Sequence, residues 1–160
     1  MTINNLFLED LTIGQKFISG IASVEEYLIQ EFGSQYDPQP FHTNTELAKN
    51  TFFKGLVASG WHTAAITMRL LVHSNLKLAG GLIGAGIDEL RWPIPVYPGD
   101  ELYLDIEVIE TKRSASKPNR GFAKIKVLTK NQNEAIVMSY VATLVVESKN
   151  KYKDLDRAQE

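Results

Sequence analysis

The chain has 160 residues, of which 44% are hydrophobic and 22% charged, a composition that predicts one globular domain with a sizeable core and argues against widespread disorder. The formal net charge of -2 lacks the basic excess of a nucleic-acid binder, so we expect no nucleic-acid partner. Because the chain has no cysteine, it has no disulfide framework, thiol nucleophile or thiolate metal site.

Neither a targeting segment nor a membrane span is predicted. Residues 1–17 lack the basic region and the long apolar run of a signal peptide. The longest apolar-rich run, residues 56–72, is interrupted by Ser59, His62 and Arg69 and is too polar to span a membrane. We therefore expect a soluble, cytoplasmic protein that has no membrane partner.

Helices are predicted in the first half of the chain. Ser23 and Glu26 have the spacing of a capping box, which predicts a short helix that ends near Ser34. The same spacing recurs from Thr43 and predicts a second short helix near residues 45–50. The best candidate for a long helix comes next, over residues 59–73. Its apolar residues cover most of the helix surface, which is typical of a helix buried on several sides.

Strands dominate the second half, where apolar and polar residues alternate with a period of two. Strands are predicted over residues 86–92, 102–109, 122–129 and 135–147. Residues 111–121 and 130–134 are predicted to be hairpin connections, and the proline-rich residues 91–102 a rigid connection into a strand. One sheet wrapped against one buried helix is an α+β architecture. We expect one domain over residues 7–148 and a polar, frayed tail over residues 149–160.

A stiff segment carries the first candidate site, Asp37-Pro38-Gln39-Pro40-Phe41-His42. Each proline fixes its own backbone and favours an extended conformation for the residue before it. Asp37 and His42 thus end a constrained loop, and a carboxylate with an imidazole can hold one water and move its proton near neutral pH. The alternative is a proline-rich turn in which Asp37 is a local cap and His42 is solvated.

The second candidate site is the start of the long helix, Ser59-Gly60-Trp61. Free backbone N–H groups and the positive end of the helix dipole lie at such a start and can polarise a carbonyl as an oxyanion site. In the alternative, Ser59 is an ordinary N-cap and Gly60 a packing glycine. His62 could face the site from the first helical turn, and His73 should lie near the helix C-terminus. No pair of histidines has metal-ligand spacing, so we expect no metal.

Taken together, these segments resemble the MaoC-like dehydratase family, which includes the (R)-specific enoyl-CoA hydratases. The resemblance rests on the order and spacing of three segments: Asp37 to His42, then Phe53-Lys54-Gly55-Leu56-Val57-Ala58-Ser59-Gly60, then Arg91-Trp92-Pro93 with Pro98-Gly99-Asp100. The sequence departs from the family at three positions. The family often has asparagine where Gln39 stands, histidine where Ser59 stands and methionine where Trp61 stands.

The resemblance implies a hot-dog fold, in which an antiparallel sheet wraps around one long central helix, and assembly as a dimer or a dimer of dimers. It implies that Asp37 and His42 hold the water that adds across a double bond, and that Gly60 offers its N–H to the thioester carbonyl. Ser59 and Trp61 would contact the acyl substrate. No cofactor is implied, because the coenzyme A thioester is itself the substrate.

Basic side chains could hold the phosphates of coenzyme A, and Arg113, Lys117 and Arg120 occupy one predicted hairpin. A solvated hairpin tip is the alternative.

Three functions follow from the whole sequence: an acyl-CoA hydratase or dehydratase, a hot-dog thioesterase, or a non-catalytic acyl-CoA-binding module. The second is disfavoured, because some hot-dog thioesterases place a carboxylate on the central helix and residues 59–73 contain no Asp or Glu.

Overall fold

The computed structural model describes residues 5–149. A 3₁₀ turn at Leu8–Asp10 precedes two short strands and four helices. In chain order the elements are β1 (Lys16–Ile18), β2 (Ala22–Ser23), α1 (Glu26–Tyr36), α2 (Pro40–Thr43), α3 (Thr45–Ala48), α4 (Gly60–His73), β3 (Ile83–Arg91), β4 (Glu101–Arg113), β5 (Arg120–Lys130) and β6 (Ile136–Glu147). Within the described part of the chain, no helix is long and apolar enough to cross a membrane.

All strands belong to one antiparallel sheet, in the order β1-β4-β5-β6-β3, and β2 also pairs with β4. The four strands predicted in the second half are confirmed. The connection between β4 and β5 is shorter than predicted, because Thr111 and Arg113 pair with Ala123 and Gly121 in the ladder. β1 and β2 were not predicted, because they span only 3 and 2 residues and are too short to show an alternating pattern.

The core lies between the inner face of the sheet and α4. Alternate residues of β4, among them Leu104 and Ile106, are almost fully buried. Leu70 and Leu71 of α4 are also buried, and the Thr67 hydroxyl lies 2.8 Å from the hydroxyl of Thr129 on β5. Each large apolar side chain buried in this way contributes about 1.5–3 kcal/mol relative to an exposed one. The α+β hot-dog class is therefore confirmed, with α4 packed on one face of an antiparallel sheet.

Two predicted helix caps are wrong, although both helices form. Ser23 pairs with Glu101 in the sheet, so it is not available to cap α1, whose N-cap position is Glu25. Asn44 caps α3 by accepting hydrogen bonds from the N–H groups of Glu46 and Leu47, at 3.0 and 2.9 Å. Thr43 cannot do so because it is still part of α2.

One flank of the sheet and helix is open. α4 was expected to be buried on several sides, but Trp61, Met68 and Val72 are 61%, 45% and 45% exposed. The edge strand β3 is also exposed along nearly its whole length, and Trp92, the residue that follows it, meets Trp61 of α4 with ring centroids 5.4 Å apart. The chain thus presents an apolar surface made of α4 and β3. Of the predicted tail, only Lys149 belongs to the described residues, and its N–H donates to Glu9 at 3.0 Å; residues 150–160 lie outside them.

Candidate functional site

His42 is placed by a single helical turn. The prediction of an extended segment is correct for Gln39, whose φ and ψ are -93° and 146°. The prediction of a loop as far as His42 is wrong, because Pro40 occupies the first turn of α2, where its fixed φ is favourable. This turn directs the His42 side chain inward, where the residue is only 5% exposed. The alternative in which His42 is a solvated loop residue is therefore wrong.

Asp37 comes to the same place from the end of α1. It is the C-cap of that helix, and its N–H donates to the carbonyl of Gly33 at 2.9 Å. Gly33 lets the two helices approach closely, since an added Cβ would lie 2.6 Å from the carbonyl oxygen of His42. The resulting distance between Nε2 of His42 and Oδ2 of Asp37 is 3.3 Å. The two candidate acid–base groups are thus in direct contact.

A backbone carbonyl fixes the orientation of the imidazole. Nδ1 of His42 lies 2.7 Å from the carbonyl oxygen of Val57. A carbonyl oxygen only accepts hydrogen bonds, so Nδ1 carries a proton. Nε2 is therefore the nitrogen whose proton is exchanged: it accepts when His42 is neutral and donates to Asp37 when His42 is charged.

The Asp37 carboxylate accepts two hydrogen bonds from neutral side chains. The Ser59 hydroxyl donates to Oδ2 and the Gln39 amide donates to Oδ1, each at 2.7 Å. Burial raises the pKa of Asp37, but these two hydrogen bonds and the positive charge of a protonated His42 outweigh it, so the pKa lies below its ordinary value. Asp37 is therefore ionised at neutral pH and available as a proton acceptor.

The start of α4 lies beside this pair. Ser59 is its N-cap, almost fully buried, and its hydroxyl also accepts from the N–H of Trp61 at 3.3 Å. Gly60 begins the helix in contact with the indole of Trp92, and an added Cβ would lie 2.9 Å from that ring. Trp92 in turn donates from Nε1 to the Gly60 carbonyl at 2.9 Å. From the sequence, Trp92 was placed in a strand and a rigid connection, and nothing in that pattern indicated that it covers Gly60.

These groups line a cavity of about 520 Å³. Asp37, His42, Ser59, Gly60 and Trp61 all contribute to its wall, so the structure brings the predicted acid–base and helix-start residues together. The rest of the wall is mostly apolar and aromatic: Phe41, Phe52, Phe53, Val57, Ala58, Trp92, Pro93, Ile94, Pro95 and Val96. A polar corner within an apolar pocket is typical of a site for a small organic ligand.

The predicted basic contacts lie elsewhere. Arg113, Lys117 and Arg120 are not among the described residues that line the cavity. They surround the hairpin at the far end of β4, a strand of 13 residues that spans about 40 Å. Arg113 forms an ion pair with Glu9 at 3.0 Å.

The other two histidines are not in the cavity wall. His62 stacks on Phe32 of α1, with ring centroids 4.8 Å apart and planes inclined by 9°, so the prediction that it faces the site is wrong. Burial lowers its pKa. His73 is at the C-terminal end of α4 as predicted, with Nδ1 2.8 Å from the carbonyl of Arg69.

Comparison with known proteins gives consistent matches. Residues 11–131 match the family described as MaoC like domain. The structure of the MaoC-like dehydratase from Rhodospirillum rubrum is 48% identical, with a TM-score of 0.87, and the match covers 91% of this chain and 99% of that one. The unliganded R-hydratase PhaJ1 from Pseudomonas aeruginosa is 26% identical, with a TM-score of 0.72 and coverage of 91% and 88%. The uncharacterized protein YdeM of Bacillus subtilis is 31% identical over 130 residues, which are 81% of this chain and 91% of YdeM.

Proposed function

Because the chain belongs to the MaoC-like domain family, we propose that it is a hydratase or dehydratase that adds water to an enoyl thioester or removes it from a 3-hydroxyacyl thioester. The observation that carries this proposal is the contact between Asp37 and His42 beside the start of α4, in the wall of one apolar cavity. The similarity to an R-hydratase and to a MaoC-like dehydratase supports the same class of reaction.

The proposed reaction uses the Asp37–His42 pair for two proton transfers and Gly60 for charge stabilisation. A water held by Asp37 and Nε2 of His42 loses a proton to the pair as its oxygen attacks the β-carbon. The electrons of the double bond shift towards the thioester carbonyl, and the pair returns a proton to the α-carbon on the same face. The N–H of Gly60 stabilises the negative charge that develops on the thioester oxygen. Dehydration is the reverse, and neither direction requires a cofactor.

The walls of the cavity favour a short or branched acyl group. Trp61 and Trp92 meet edge to face, with ring centroids 5.4 Å apart, and both rings line the cavity. Two indoles in edge-to-face contact leave little room for a long acyl chain near Gly60.

The thioester is proposed to be that of coenzyme A. Arg113, Lys117 and Arg120 are the proposed contacts for its phosphates, although they do not line the cavity itself.

We also propose that the protein is a homodimer or a dimer of dimers. The apolar surface made of α4 and β3 supports this, since large exposed apolar patches mark interaction sites. β3 additionally offers an unpaired strand edge on which a second sheet can continue.

The reaction can be tested by following the loss of absorbance of the conjugated thioester when a short enoyl-CoA is mixed with the protein. We expect turnover by the natural sequence and a rate lower by about 10²- to 10⁴-fold for Asp37→Asn and for His42→Ala, because both proton transfers depend on the pair. Asp105→Asn, on the outer face of the sheet, and His73→Ala are matched controls that should retain activity. Release of free coenzyme A without hydration would indicate a thioesterase, and ligand binding without turnover would indicate a binding module.

A further inference from the structure

Trp92 makes a directed contact that the proposed reaction does not use. Its indole is 40% exposed, yet its Nε1–H donates to the carbonyl of Gly60 at 2.9 Å and its ring packs against the Cα of the same residue. The ring therefore has a defined position at the start of α4. Packing alone would be satisfied by phenylalanine, which lacks the N–H.

The Gly60 carbonyl belongs to the same peptide unit as the N–H of Trp61. That N–H points to the Ser59 hydroxyl, with a distance of 3.3 Å between nitrogen and oxygen. The Ser59 hydroxyl in turn donates to Oδ2 of Asp37 at 2.7 Å. Three hydrogen bonds thus run in one direction, from the Trp92 indole through the Gly60–Trp61 peptide and Ser59 to the carboxylate.

Hydrogen bonds aligned in this way polarise one another, so a donor at one end strengthens the bond at the other. We propose that Trp92 is a positioning residue that stabilises the ionised form of Asp37 through the Gly60–Trp61 peptide and the Ser59 hydroxyl. The inference deepens the proposed hydratase function and rests on it, because the proton acceptor that Trp92 supports is the one assigned to the water.

Few other charges act on Asp37. From α2, His42 faces it at 3.3 Å, and Gln39 contributes a neutral donor. From the start of α4, Ser59 contributes another neutral donor, whereas His62 stacks on Phe32. Among the described residues that line the cavity, Asp37 and His42 are the titratable ones. A change in the Trp92 hydrogen bond should therefore be visible in the titration of Asp37.

The first test leaves Trp92 unchanged and needs no catalysis. The chain has two tryptophans, so its indole N–H groups give two resonances in a ¹H–¹⁵N spectrum. We expect the Trp92 indole resonance to shift as Asp37 is protonated, and the shift to vanish in Asp37→Asn and in Ser59→Ala. An indole resonance that stays constant through the titration of Asp37 would overturn the proposal.

The second test follows the Asp37 carboxyl carbon by ¹³C NMR as a function of pH. Trp92→Phe keeps the ring and removes the N–H, and we expect it to weaken the acid dissociation of Asp37 about twofold, the size of one cooperative hydrogen-bond contribution. Ser59→Ala should have a larger effect, and the double variant should match Ser59→Ala alone. His73→Gln, at the other end of α4, is the control and should leave the titration of Asp37 unchanged.

Equal effects of Trp92→Phe in the presence and absence of Ser59 would show that the influence does not pass through the hydroxyl, and would overturn the proposal. Both titrations can be read even if the protein hydrates no thioester, so failure of the inference is distinguishable from failure of the proposed function. If Trp92→Phe does not fold, the indole resonances of the natural sequence still decide the question.

Discussion

The carbonyl of Val57 decides which nitrogen of His42 is available for chemistry. By accepting from Nδ1 at 2.7 Å, it leaves Nε2 towards Asp37 and the cavity. The proton on Nδ1 is not part of the proposed reaction, and its hydrogen bond keeps the ring from turning. An exposed histidine has no such constraint, and the short α2 helix is what buries this one.

Gly60 is required for packing as well as for the proposed oxyanion contact. In Gly60→Ala, the added Cβ would meet the Trp92 ring at 2.9 Å, so the indole has to move away from the Gly60 carbonyl. Because the ring is partly exposed and can shift, we expect a loss of about 1 kcal/mol in the free energy of unfolding, at the lower end of overpacking effects. Activity should fall about tenfold or more, because the displaced Trp92 ring disturbs the position of the Gly60 N–H, the proposed donor to the thioester oxygen.

Denaturant unfolding and the enoyl-CoA assay measure both effects. Gly20→Ala is the matched control, since an added Cβ there has no atom within 4 Å. A Gly60→Ala variant as stable and as active as the natural sequence would show that neither contact matters.

His62 of α4 packs against α1, and one of its ring nitrogens has no hydrogen-bond partner among the described residues. His62 is 8% exposed, and its Nδ1 has no hydrogen-bond partner within residues 5–149. The ring acts as an aromatic spacer on Phe32 and holds α1, which carries Asp37 at its end, against the start of α4. A charge on this ring would be buried without compensation.

The pKa of His62 is lowered by burial, so the unfolded chain binds a proton that the folded chain resists. We expect the free energy of unfolding to decrease as the pH drops below about 6.5, because His62 then becomes charged in the unfolded chain but not in the folded one. Below the pKa that His62 has in the folded chain, its titration should cause no further decrease. His62→Phe should flatten this part of the profile, whereas His73→Gln should not. Urea unfolding between pH 5 and 7 measures it, and a His62→Phe profile as steep as that of the natural sequence would contradict the assignment.

Elements differ in how well the sequence predicts them. Long strands were predicted because residues such as Leu102 to Val108 alternate over many positions, and α4 because its apolar run is long and begins at a serine. β1 and β2 were not predicted, because strands of two or three residues have no recognisable pattern of their own and form by pairing with β4. The capping residue of α3 was assigned one position too early, because α2 takes up Thr43.

The site was predicted only in part, because local sequence patterns identify residues but not the contacts between distant segments. Asp37, His42 and Gly60 could be named because they belong to short segments with fixed spacing. Their contact could not, since it depends on Gly33 allowing α1 to approach α2 across the His42 backbone. Trp92 and Val57 were missed because their roles are hydrogen bonds between segments distant in sequence.

At the scale of the whole molecule, the open flank made of α4 and β3 is the surface through which we propose that two copies of the chain associate. Burying Met68 and Val72 together with the β3 edge would remove from water apolar surface that a single chain leaves exposed. Met68→Lys places a charge in the middle of this surface, and we expect the mass measured by light scattering to fall to that of a single chain. Phe122→Lys, at an apolar position on β5 that is 38% exposed, is the matched control and should leave the mass unchanged. A single-chain mass for the natural sequence would contradict the proposal.

The central claim is that Asp37 and His42 together transfer a proton between water and the α-carbon of a thioester. It is tested most directly by incubating the protein with a four-carbon enoyl-CoA in deuterium oxide and examining the product by NMR and mass spectrometry. We predict a 3-hydroxyacyl-CoA with one deuterium at the α-carbon, as a single diastereomer with deuterium and hydroxyl on the same face. With Asp37→Asn or His42→Ala, we predict that this product forms about 10²- to 10⁴-fold more slowly. Product formed at the natural rate by both variants, or a mixture of diastereomers from the natural sequence, would contradict the account.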